Sequence, residues 1–64
     1  MVVLKVTLLE GRSLEKKREL VQRLTEMAAR LLGEDPEEVR VILYEVPRAH
    51  WAVGGRLMAD REGA

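Results

Sequence analysis

Residues 39–46 read V39-R-V-I-L-Y-E-V46, a run in which only Arg40 and Glu45 are charged. Valine, isoleucine and tyrosine suit a pleated surface, so the run predicts a strand. Its side chains alternate: Val39, Val41 and Leu43 line one face, while Ile42, Tyr44 and Val46 line the other. A strand with one wet face alternates apolar with polar, whereas one that is apolar on both faces is covered on both. Pro47, which has no N–H to give a ladder, ends it.

Working outward, residues 2–9 (V-V-L-K-V-T-L-L) predict an earlier strand, with Val2, Leu4, Val6 and Leu8 on one face and Val3, Lys5, Thr7 and Leu9 on the other. Gly11 breaks that strand, and Ser13 is a good helix N-cap. A helix is expected over 14–32, where Leu20, Leu24, Met27, Ala28 and Leu31 recur at three- and four-residue spacing to form one apolar stripe. Glu19/Arg23 and Glu26/Arg30 stand four apart on its outward side, as solvated ion pairs do. Gly33 is the expected C-terminal stop. Asp35-Pro36-Glu37-Glu38 combines an N-cap, a first-turn proline and acidic residues, enough for one helical turn.

Strand, helix and strand in this order make a βαβ unit with parallel strands. The tail H50-W-A-V-G-G-R-L-M58 has a Gly54-Gly55 turn and folds back as a short hairpin. The expected class is therefore α+β, with residues 1–64 forming one domain: a single βαβ unit plus a C-terminal hairpin. One helix covers one face of a two-stranded sheet, so the other face has to be completed by oligomerisation.

Size points the same way. A chain of 64 residues buries only about 60% of its unfolded surface, so its own core is marginal. The usual supports are disulfides, a metal or association. There are no cysteines and one histidine, which removes disulfides and conventional zinc sites. No cofactor pattern is present either: there is no phosphate loop, nucleophile triad or metal-ligand spacing. Eleven basic and eleven acidic side chains give no basic excess of the kind that marks nucleic-acid binding. The apolar runs fall well short of ~18 residues, so no membrane span is expected, and with no signal peptide the expected location is cytoplasmic. The chain has no asparagine, a single Gln22 and more Arg than Lys, a composition that fits a thermophilic source and fits GC-rich coding equally well.

Three places in the sequence carry candidate chemistry. Arg40 shares a strand face with Ile42, Tyr44 and Val46, where an unpaired guanidinium is costly; either it reaches a carboxylate such as Glu10 or Glu45, or it binds an anion. Arg12 lies in the strand-to-helix turn L9-E-G-R-S13, beside a helix N-terminus, where an arginine can hold a carboxylate or simply face solvent. His50 and Trp51 read as an interface pair, since aromatics are favoured at buried contacts.

Taken together, L-E-G-R-S at 9–13, V-R-V-I at 39–42 and H-W-A-V-G-G at 50–55 resemble the 4-oxalocrotonate tautomerase family, whose last motif is H-F-G-I-G-G. The resemblance covers nearly the whole chain. It implies small βαβ subunits assembled as hexamers, and a reaction that moves a proton between an enol or dienol acid and its conjugated keto isomer. It further implies that Arg12 holds a substrate carboxylate, that Arg40 polarises the keto and carboxylate oxygens, and that Trp51 makes the site apolar.

The family's base is an amino-terminal proline, exposed once the initiator Met is removed. This chain departs from the family there, because the corresponding residue is Val2, preceded by Met1. While Met1 is attached, the Val2 nitrogen is an amide; without it, Val2 offers a primary amine in the same place. Three readings follow: a tautomerase of weak or altered activity on small unsaturated 2-oxo and 2-hydroxy acids; a non-catalytic subunit that co-assembles with a proline-bearing paralogue; and a small dicarboxylate-binding protein. If the base lies elsewhere, His50 is the first residue to consider.

Overall fold

The run of β-branched and leucine residues at the start of the chain forms β1 (Val2–Leu9), and residues V-R-V-I-L-Y-E-V form β2 (Val39–Val46). Between them lies α1 (Leu14–Leu32). The computed structural model describes residues 1–62; Gly63 and Ala64, the end of the expected 1–64 unit, lie outside the described residues. A 3₁₀ turn over Pro36–Glu38 leads into β2, and another over Arg48–His50 leaves it. The chain then makes a small hairpin of β3 (Ala52–Val53) and β4 (Arg56–Leu57), followed by a short helix, α2 (Met58–Glu62).

β1 and β2 pair in parallel along their whole length, from Val2 opposite Val39 to Leu9 opposite Val46. β3 and β4 pair antiparallel around Gly54 and Gly55. The expected class is therefore the observed one, a βαβ unit with parallel strands and a C-terminal hairpin. The local signals also act as expected. The Ser13 side chain accepts a hydrogen bond from the Lys16 N–H, and the left-handed Gly33 donates its N–H to the Ala29 carbonyl. Asp35 caps the 3₁₀ turn by accepting from the Glu37 N–H.

Helix α1 lies on the face of the sheet made by Val2, Leu4, Val6 and Leu8 of β1 and Val39, Val41 and Leu43 of β2. Among the described residues Leu8, Ala29 and Val39 form the small core, and no large side chain is completely buried. The helix meets the sheet along part of the expected stripe: Leu20, Leu24 and Ala28 are half-buried, together with Val21 and Thr25 and the buried Ala29, whereas Met27 and Leu31 remain 47% and 71% exposed. The reason is width: two strands about 4.8 Å apart cannot cover the apolar arc of a helix about 10 Å across. The expected Glu26/Arg30 pair is replaced as well, because Arg30 turns its guanidinium to the Met27 sulfur at 3.1 Å. The Glu19/Arg23 pair is present at 2.9 Å.

The opposite face of the sheet carries Val3, Lys5, Thr7, Arg40, Ile42 and Tyr44, and no element of the described chain covers it. The radius of gyration is 15.1 Å, against about 11 Å for a compact chain of this length. The accessible surface is 5063 Å², against about 4,200 Å² for a compact monomer of this mass. The excess, about 900 Å², is close to one partner's share of a standard protein interface, about 800 Å².

Candidate functional site

Val2, Arg40 and Arg12 sit at one end or the other of the parallel ladder. Val2 opens β1 opposite Val39, and Arg40 follows opposite Val3. Both therefore stand at the same end, with the Arg40 side chain on the open face. The Val2 nitrogen is a peptide amide there, and the Met1 amine lies 3.9 Å from Glu34 Oε1.

Neither carboxylate suggested as a partner for Arg40 serves that role. Glu45 has the opposite parity on β2, so it points to the helix side, where its Oε1 accepts from Lys17 Nζ at 2.7 Å. Glu10 lies beyond the far end of β1, its N–H donating to the Val46 carbonyl at 3.1 Å. Among the described residues Arg40 has no ion pair, and it is exposed on the open face, beside Val3 and Ile42.

Arg12 stands at the far end, past the last residue of β1. Gly11 before it has φ +124°, a conformation open to glycine and strained for other residues. That turn swings the chain from strand to helix and leaves Arg12 exposed, with its Nη1 donating to the Leu9 carbonyl at 3.3 Å. Trp51 closes the 3₁₀ turn that follows β2. It is half-buried, its N–H reaches the Arg48 carbonyl at 3.5 Å, and its own carbonyl accepts from the Met58 N–H at 2.7 Å, tying the start of α2 to the end of the 3₁₀ turn. His50 is exposed beside it.

The structure thus brings Val2 together with Arg40 at one end of the ladder, places Arg12 past its other end, and puts Trp51 in the segment that follows β2. At about 3.3 Å per residue the eight-residue ladder separates Arg12 from Val2 and Arg40 by about 25 Å, too far for one small acid to touch both ends within one chain. The apolar groove on α1, lined by Leu20, Leu24 and Met27 with Lys16, Glu19 and Arg23 at its rim, contains none of these residues. Among the described residues no cluster of three or more His, Cys, Asp and Glu side chains is placed to hold a metal ion, and no helix is long and apolar enough to cross a membrane.

One residue at the Arg12 end was not apparent from the sequence. A Cβ built on Gly11 would sit 3.8 Å from Arg48 Nη2, so the Arg48 guanidinium packs against the glycine that precedes Arg12. The contact runs from the end of one strand to the end of the other, a separation in sequence that no local pattern reports.

Comparison with known proteins places this geometry. The family model described as "Tautomerase enzyme" matches residues 3–61. A solved 4-oxalocrotonate tautomerase homologue superposes with a TM-score of 0.91 at 78% identity, covering 94% of this chain and 95% of that one. The heterohexamer 4-oxalocrotonate tautomerase from Chloroflexus aurantiacus superposes with a TM-score of 0.87 at 48% identity, covering 94% of this chain and 97% of that one. The 2-hydroxymuconate tautomerase of Bacillus subtilis is 39% identical over 57 residues, covering 89% of this chain and 92% of the relative. With its βαβ fold and a family match spanning all but the ends of the sequence, the chain belongs to the tautomerase family.

Proposed function

We propose that this chain is a subunit of a tautomerase oligomer, most simply a hexamer, which isomerises small unsaturated 2-hydroxy and 2-oxo acids at sites shared between copies. One observation carries the proposal: Val2 and Arg40 stand at one end of a rigid ladder, while Arg12 follows its other end, about 25 Å away. A site that uses both groups needs the far end of one copy beside the near end of another. The open face of the sheet and the surface excess give such contacts an apolar driving force, and one solved relative is itself a heterohexamer.

In the reaction the base takes the hydroxyl proton of the enol and a proton is delivered to a carbon of the conjugated chain, so the product is the keto isomer of unchanged composition. Arg40, exposed on the open face and without an ion pair among the described residues, stabilises the negative charge that develops on the substrate oxygens; removing one donor of this kind costs about 10²–10³ in rate. Arg12 takes a carboxylate, and the indole of Trp51 keeps water away. The base is a chain-terminal amine at Val2 once Met1 is gone. With Met1 attached, the free amine moves by up to ~3.6 Å, and misplacement of about 1 Å already costs about a hundredfold. The native sequence is accordingly slow, or is the proline-less partner of a proline-bearing paralogue; Val2 itself, with the heterohexameric relative, is what favours this second reading.

The test is conversion of a 2-hydroxydienoate or of phenylenolpyruvate to its keto isomer, with mass spectrometry reporting the amino terminus. Slow turnover that Arg40→Ala reduces further supports the proposal. A rate no higher than in buffer, both alone and after assembly with a proline-bearing paralogue, overturns it.

A further inference from the structure

Arg48 opens the 3₁₀ turn after β2 and is half-buried. Its Nη2 lies against Gly11, the residue between Glu10 and Arg12, and its carbonyl takes the Trp51 N–H. The Arg12 guanidinium folds back over the same turn onto the Leu9 carbonyl. Arg12 and Arg48 therefore both approach the Gly11 turn, Arg12 by its place in the chain and Arg48 through its Nη2. A guanidinium has five N–H donors in a fixed fork, so it can take a carboxylate in addition to any group it already holds.

We propose that Arg48 is a second cation at the Arg12 end of the shared site, and that Arg12 and Arg48 together receive a terminal carboxylate and so select dicarboxylates over monocarboxylates of equal length. The inference rests on the functional reading above, in which Arg40 of another copy holds the other end of the substrate. Gly11 contributes through its positive φ, which sets the turn.

The test uses the assembled protein and two probes, adipate and hexanoate, with affinity read from the rise in melting temperature and oligomer mass checked by sedimentation. The wild type is expected to prefer adipate. In Arg48→Gln the adipate affinity is expected to fall by about tenfold or more, to near that of hexanoate, with oligomer mass unchanged. Arg48→Lys, which keeps the charge but loses the fork, is expected to recover part of the preference, and it decides the matter if Arg48→Gln does not assemble. A wild-type preference for adipate that both variants retain in full overturns the role of Arg48 and leaves the functional reading intact. A wild type stabilised by neither probe overturns the shared anion site itself, and this inference with it.

Discussion

Replacing Tyr44 by aspartate puts a carboxylate in the middle of the open face of the sheet. Tyr44 is 46% exposed in the single chain, so about 90 Å² of its surface remains to be covered. Covering it at about 25 cal/mol per Å² stabilises an assembly by about 2 kcal/mol per copy. The new carboxylate adds a desolvation cost of several kcal/mol if it is buried without a partner. Thr7 stands directly across the ladder and offers no cation; Lys5 is only a diagonal neighbour, about 7–8 Å away. The sum is about 5 kcal/mol per copy, more than a thousandfold in the dissociation constant of each contact. In sedimentation at micromolar concentration the wild type should run as one species of about six times the 7.3 kDa chain mass. Tyr44→Asp should run as smaller species and lose helix by circular dichroism, because the buried core among the described residues of a single chain is small, Leu8, Ala29 and Val39. Tyr44→Phe should behave like the wild type. A Tyr44→Asp protein of wild-type mass and melting temperature would refute the claim that this face is buried between copies.

Other consequences are open to measurement. A dicarboxylate at one hundred times its dissociation constant stabilises the folded state by about 2.7 kcal/mol, and Arg40→Ala should abolish the resulting rise in melting temperature while leaving oligomer mass unchanged. Val2→Pro with Met1 removed should raise enol-to-keto turnover by about a hundredfold or more; a fully processed, assembled variant that is no faster would favour the partner-subunit reading. Gly11→Ala forces a side chain into a conformation that costs about 1–3 kcal/mol, a loss that should appear as a lower midpoint in urea.

The elements of this fold are legible in the sequence because each is set by neighbours a few residues apart. Ser13 and Gly33 bound α1 through their own hydrogen bonds, and the alternation along 2–9 and 39–46 fixes which side chains share a face. The line along which α1 meets the sheet is not legible in this way. Its apolar arc is wider than two strands, and Leu31 and Val21 carry equally apolar side chains although only Val21 faces inward. The Lys17–Glu45 pair and the approach of Arg48 to Gly11 escaped the sequence reading for a related reason, since each joins residues far apart in the chain. The candidate site is legible only in parts: the motifs name Arg12, Arg40 and Trp51, but the separation of Arg12 from Arg40 along the ladder emerges only when the strands are paired in register.

The most direct test of a site shared between copies is to mix two disabled variants. Arg12→Ala and Arg40→Ala are each expected to lose dicarboxylate binding as pure assemblies. Unfolded together in equal amounts and reassembled, they should recover it at about one site in four, where an intact Arg12 from one copy meets an intact Arg40 from another. Calorimetric titration of the mixed assembly with adipate counts those sites. Recovery near a quarter of the wild-type number is the predicted result, and a mixture of wild-type mass that binds none would contradict the account.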